Sequence, residues 1–180
     1  DTYKAYKLSK YIRWMPKPLI RIFENFVRLL PVSEKRLGIE YKLLKFLKGL
    51  GYKAEYANYI WWGSFSPAEK KNILSERMIG ILKDEREFQP VDFYDEFTKD
   101  IKDPLDRINF LDLNLYLQDD LLQKVDNMSM ANSLEVRVPF LDHRMVELAV
   151  TIRNNVRMKG LKTKHILKKA LDEYIPEGIK

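Results

Sequence analysis

DPLDRINFLDLNLYLQDDLLQKVDNMSMA, Asp103–Ala131, is the stretch that decides the fold. Phe110, Leu113, Leu117, Leu121, Val125 and Met128 recur at steps of three or four, the spacing that sets side chains along one face of an α-helix. Asp103 followed by Pro104 is a start signal, because the carboxylate can accept a first-turn amide and proline suits the first helical position. The spacing predicts one helix of about 28 residues, about 42 Å long at the standard rise. Leu111, Leu115 and Leu122 add a second apolar line, wide enough to be covered by helices on two sides. Such a pillar predicts an all-α, layered body.

Upstream, the punctuation marks helices in series. Tyr3–Met15 ends at Pro16, Pro18–Leu30 at Pro31 and Ser33–Leu50 at Gly51, residues that cannot continue the ladder or that readily turn left-handed. The third helix has Leu37, Tyr41, Leu44 and Leu47 on one stripe. Ala54–Trp62 forms a short helix, and its Trp61 and Trp62 either close a core or stack on a ligand base, the core being the commoner use of paired tryptophans. Ser66-Pro67-Ala68-Glu69 has the form of a capping box and starts another helix. Lys83–Gln89 is a polar loop, and residues 90–101 form one more short helix.

Downstream of Ala131 the period changes from helical to alternating. Leu134, Val136 and Val138 face one way and Glu135 and Arg137 the other, with Pro139 holding Val138 extended. Glu135 and Arg137 stand roughly 7 Å apart along such a backbone. They either pair with each other or flank a polar ligand; Asp142 and helix-end carbonyls are further partners open to Arg137. Phe140 and Leu141 are expected to bury, and Asp142 to cap a largely interior helix carrying Met145, Leu148, Ala149 and Ile152. The turn Met158–Lys164 has three lysines and a glycine around Thr163, the expected cap of the last helix; it is either an anion site or a solvated basic loop.

Composition narrows the chemistry. Of 180 residues, 46% are hydrophobic and 32% charged, with no cysteine and two histidines, which removes disulfides, thiolate nucleophiles and a Cys- or His-rich metal site. No run approaches the roughly 20 apolar residues that cross a bilayer, and residues 1–10 lack a signal-peptide core, so the expected location is the cytoplasm. Residues 1–50 hold twelve Lys/Arg against four Asp/Glu, a net of +8, which leaves −2 for the other 130 of a chain whose total is +6. Lys4, Lys7, Lys10, Arg13 and Lys17 recur at three and four and read as a solvated helix face, not as a nucleic-acid contact.

A resemblance joins these features. YLQDDLLQKVDNMSMANSLEVRVPFLDHRMVELA (Tyr116–Ala149) resembles the signature of the asparagine synthetase synthase domain, YL-x-DDLL-x-K-x-D-x-x-SMA-x-SLE-x-R-x-PFLD-x-x-x-VE-x-A. GLKTKHILKKALDEYIPEGI (Gly160–Ile179) is similar to the family's next block. The motifs cover residues 103–179, the signature-bearing part; residues 1–102 resemble the family in being helical and in the opening DTYKAY, where a Gly-Gly-Tyr usually precedes. Asn127 departs from the family's usual Arg.

The resemblance implies the C-terminal helical part of an α/β, adenine-nucleotide-hydrolase-like synthase domain of the PP-loop ATP pyrophosphatase kind, with residues 1–180 as a single helical region. It implies an asparagine synthetase that uses ATP and Mg²⁺ to activate aspartate as an acyl-adenylate and amidates it with ammonia from glutamine. The family's Ser-Gly-Gly-x-Asp-Ser loop, Gly-Glu-Gly-x-Asp-Glu motif and Arg-x-Lys-x-x-Phe segment are missing from this sequence, so no catalytic residue, bound metal or cofactor is expected within it and the isolated chain is expected to be inactive. By resemblance, Lys124 faces the nucleotide phosphates, and Arg137 can offset pyrophosphate charge alongside it. Asp126, Ser129, Glu135 and Asp142 are expected to support the two cations. The expected partners are small molecules, neither nucleic acid nor membrane, with self-association through uncovered apolar faces. The alternatives are a helical interaction module using its basic N-terminal third, and a related ligase forming β-lactams, macrolactams or sugar amides.

Overall fold

The computed structural model describes residues 2–12, 14–31, 38–63, 65–82 and 88–179. The chain divides into two units, Asp1–Leu111 and Asp112–Lys180. Among the described residues the regular structure is helical, and one isolated antiparallel bridge, Lys159 to Lys162, is the nearest approach to a strand.

The first unit contains α1 (Thr2–Ile12), α2 (Lys17–Arg28), α3 (Ile39–Gly49), α4 (Ala54–Trp62), α5 (Pro67–Ile73), α6 (Glu76–Leu82), α7 (Gln89–Phe93), α8 (Asp95–Thr98) and α9 (Pro104–Leu111). α1 stops before Met15 because Pro16 disfavours helical geometry in the residue ahead of it. The expected start of the third helix at Ser33, its Leu37, Arg13, the side chain of Lys17 and residues 83–87 of the polar loop lie outside the described residues. α4 has the bounds read from its sequence. The helix begun at Pro67 ends at Ile73, where a second begins with the Ser75 hydroxyl accepting from the Met78 amide at 3.3 Å. The single short helix expected over 90–101 is two, α7 and α8.

The core gathers on α4. Tyr6 of α1, Ala57 and Trp61 of α4, and Leu105 and Ile108 of α9 are buried together. A second cluster, Val27, Leu47 and Leu50, seats α2 against α3. Trp61 stacks on Phe46, with ring centroids 6.0 Å apart and planes 14° from parallel, and its indole N–H donates to the Phe46 carbonyl at 3.2 Å. Trp61 therefore belongs to the core and not to a ligand. The indole lies so near α3 that a Cβ at Gly49 would stand 2.2 Å from Trp61 Nε1, so glycine is what allows the approach.

Polar pins complete the unit. Buried Glu55 pairs with Arg107 Nε at 2.6 Å, joining α4 to α9. The Tyr56 hydroxyl donates to Asp92 at 2.6 Å while its ring stacks on Phe88. That hydrogen bond, aided by burial, pushes the phenol up to about 12. At α5 the capping box is complete: the Ser66 hydroxyl accepts from the Glu69 amide, and the Glu69 carboxylate accepts from the Ser66 amide. Lys48 of α3 also reaches Glu69. Burial opposes ionisation of Glu69, but the hydrogen bonds from Lys48 and Ser66 outweigh it and hold the carboxyl at about 2.

The second unit opens with a π-helical segment, Asp112–Leu122, followed by α10 (Gln123–Met130). The continuous α-helix expected across Asp103–Ala131 is therefore corrected: α geometry ends at Leu111 and returns at Gln123. Apolar residues four apart, as Leu113, Leu117 and Leu121 are, suit the wider turn closed by i→i+5 bonds as well as the α turn. After an extended run and a 3₁₀ turn at Pro139–Leu141 come α11 (His143–Thr151), α12 (Asn154–Arg157) and α13 (His165–Ala170). Among the described residues of this unit, Met158 alone is buried. The expected burial of the bend and of the helix after it is not met: Leu134, Val136, Val138, Phe140, Met145 and Leu148 are exposed, since no element of the unit lies over them.

Candidate functional site

α10 is closed at its C-terminal end by main-chain bonds. Ser133 takes a left-handed φ of 55°, so that the Leu134 amide donates to the Ser129 carbonyl at 3.0 Å and the Ser133 amide to Met130 at 3.0 Å. This is the pattern of a Schellman cap. It turns the chain sharply from helix into the extended run 134–138 and so fixes where Glu135 and Arg137 leave the helix end. The Asn132 side chain adds a bond to the Met128 carbonyl at 2.9 Å.

On this frame the residues singled out from sequence form local pairs. Arg137 grips Glu135: its Nε and Nη2 both stand 2.8 Å from Glu135 Oε1. Lys124 pairs with Asp120, one helical turn earlier. The side chains of Arg137 and Lys124 are 86% and 70% exposed, so neither cation is desolvated within this chain. The Ser129 hydroxyl donates to the Asp126 carbonyl at 3.1 Å, a backbone contact that leaves the Asp126 carboxylate out of it. Asp142 does cap α11, accepting from the Arg144 amide at 3.0 Å. Its carboxylate is held by the Arg144 guanidinium through two bonds of 2.9 Å and not by Arg137. The Arg144 side chain and then its amide keep Asp142 below the usual carboxylate range.

Asp120, Ser133 and Arg144 are the residues that sequence reasoning passed over. Asp120 was accessible, since an acid four residues before a lysine on a helix is a standard pair. Ser133 carries no signal, because glycine is the usual mark of a left-handed cap. At the basic turn, Lys159 and Lys162 exchange two backbone bonds of 3.1 and 2.9 Å around Gly160, whose φ is 58°. The last helix is corrected by one residue: Lys164, left-handed at φ 54°, holds the cap position expected of Thr163.

Among the described residues no three His, Cys, Asp or Glu side chains converge as a metal site. No described helix is long and apolar enough to cross a membrane.

The asparagine synthase family model matches residues 3–180, and the chain belongs to that family. The match takes in the first hundred residues, where the sequence alone offered little beyond helices. The chain is 37% identical over 75 residues to asparagine synthetase [glutamine-hydrolyzing] 1 of Bacillus subtilis (strain 168), covering 42% of this chain and 12% of that protein. It is 46% identical over 65 residues to asparagine synthetase [glutamine-hydrolyzing] 3 of the same organism, covering 36% and 11%. A putative asparagine synthetase of Mycobacterium tuberculosis (strain ATCC 25618 / H37Rv) is 38% identical over 77 residues, covering 43% and 12%. The matched stretches thus span about an eighth of these relatives. No solved structure matches the chain significantly.

Proposed function

We propose that this chain is the helical C-terminal part of the synthase domain of an ATP-dependent asparagine synthetase, working in the cytoplasm. The complete enzyme activates aspartate as its acyl-adenylate and amidates it with ammonia released from glutamine. The observation that carries this reading is the family match across residues 3–180 together with relatives named as glutamine-hydrolysing asparagine synthetases. The described residues do not by themselves fit Mg²⁺ or ATP: they bring together no carboxylate cluster, and the sequence has no glycine-rich phosphate loop. Those elements are supplied by other parts of the protein. Aspartate is the acceptor by the relatives' names; a related amide-forming ligase is the reading to adopt if another carboxylate is activated instead.

The part assigned to this chain is electrostatic. Lys124 and Arg137 each rest in an exposed ion pair, with Asp120 and with Glu135. Such pairs are worth less than about 1 kcal/mol, so exchanging the carboxylate for a phosphate oxygen costs little. In a site that excludes water the same cations offset the charge that grows on departing pyrophosphate. Ser129, whose carbonyl accepts from the Leu134 amide, closes the helix end from which the chain turns toward Arg137, Asp126 accepts the Ser129 hydroxyl through its main chain, and Asp142 caps the helix after the bend.

Lys124→Ala and Arg137→Ala are to be compared in the full-length enzyme by aspartate-dependent exchange of pyrophosphate with ATP. Each change is expected to lower turnover by about a hundredfold with an unchanged melting temperature, and Arg137→Lys to restore part of it. Unaltered exchange in both variants would remove the two residues from the reaction.

A further inference from the structure

α2 has two faces of opposite character. Leu19, Ile22, Phe23, Phe26 and the capping Leu29 follow at steps that place them on one side of a helix. All five are exposed, Ile22 at 64%, Phe26 at 61% and Leu29 at 83%. They are not the residues that fasten the helix: Val27, with Ile20 beside it, packs onto Leu47 and Leu50 of the second core cluster. A second apolar strip therefore lies beside the seated edge. The remaining side carries Arg21, Glu24, Asn25 and Arg28. Ahead of the helix, Tyr11, Trp14 and Met15 are exposed as well.

This arrangement is that of a helix lying in a lipid interface: a strong apolar face of Leu, Ile and Phe, cations along the polar face, and an overall hydrophobicity too low for insertion across the bilayer. A protein partner would require only the strip. Charge selects the occupant. Residues 1–50 carry +8 while the other 130 sum to −2, and the sequence of α2 itself has Lys17, Arg21 and Arg28 against Glu24, the sign that an anionic headgroup layer demands. Exposed Tyr11 and Trp14, a few residues ahead of the helix, are of the kind that prefer headgroup depth.

We propose that α2 docks in the plane of an anionic bilayer surface, with Leu19, Ile22, Phe23, Phe26 and Leu29 in the acyl boundary and Arg21 and Arg28 at the headgroups. The attachment is peripheral and reversible, and it is independent of the amide-forming reading. It brings the protein to the membrane face without spanning it.

Co-sedimentation of the full-length protein with vesicles of phosphatidylcholine alone, and of phosphatidylcholine with an equimolar share of phosphatidylglycerol, tests this. Binding is expected to the anionic vesicles only and to weaken as salt is raised. Ile22→Asp with Phe26→Asp is expected to abolish it, and Arg21→Glu with Arg28→Glu to weaken it by about tenfold or more. All four positions are exposed, so the variants should melt with the wild type. Three results would overturn the proposal: no binding to anionic vesicles, equal binding by the Asp variant, or an α2 strip covered without lipid. The last would appear as a dimer lost in the Asp variant or as slow amide exchange in the lipid-free protein.

Discussion

Ser133 sits in the left-handed region without being glycine, a conformation that costs an L-residue roughly 1–2 kcal/mol. Ser133→Gly removes that cost but gives back part of it through a freer unfolded chain. We expect a net gain of about 0.5–1 kcal/mol, read as a higher midpoint in urea; a loss would mean that the hydroxyl makes an indispensable bond. Glu69 sets an acid limit. Its carboxyl is held at about 2, against an ordinary 4.5. The stability it contributes is therefore present above 4.5 and lost as pH falls toward 2. Glu69→Gln should flatten the acid limb of a melting profile between these values and leave the neutral region nearly parallel. Tyr56 acts at the other extreme: its phenol is raised from 10.0 to about 12, so its contribution is complete below pH 10 and fades as pH passes 12. Tyr56→Phe should remove that alkaline decline.

At the scale of elements, legibility followed the strength of local chemistry. The start of α5 was readable because a capping box and a proline at the first turn act within a few residues. The change to π geometry at Asp112 was not readable: it turns on which carbonyl each amide chooses, and apolar steps of three and four are compatible with both choices. π-helices are rare and usually a single turn, so sequence spacing alone favours α. The π segment contains no buried residue, whereas α9 contains buried Leu105, Ile108 and Leu111. Amide exchange in Asp112–Leu122 should accordingly run faster than in Pro104–Leu111, measured on the full-length protein. Equal protection would show that other parts of the protein reinforce the π segment.

For the whole molecule, the sequence marked the extended bend and the cap at Asp142 but not the solvent exposure of the side chains along them. Alternation of Leu134, Val136 and Val138 marks a face that some surface covers; it does not say whether that surface belongs to the same unit. With Met158 the one buried side chain among the described residues of Asp112–Lys180, that unit has too small a core to fold alone. Expressed by itself, it should show helical far-ultraviolet dichroism without a cooperative calorimetric transition; a sharp transition would refute this. The first unit has the opposite property, and with it an optical reporter. Because Gly49 leaves room for the Trp61 indole to press against α3 and bond to Phe46, that fluorophore should emit at short wavelength while the helices stay together. Its red shift would time their parting, and Gly49→Ala, by forcing the ring away, should give the parted colour in the native protein.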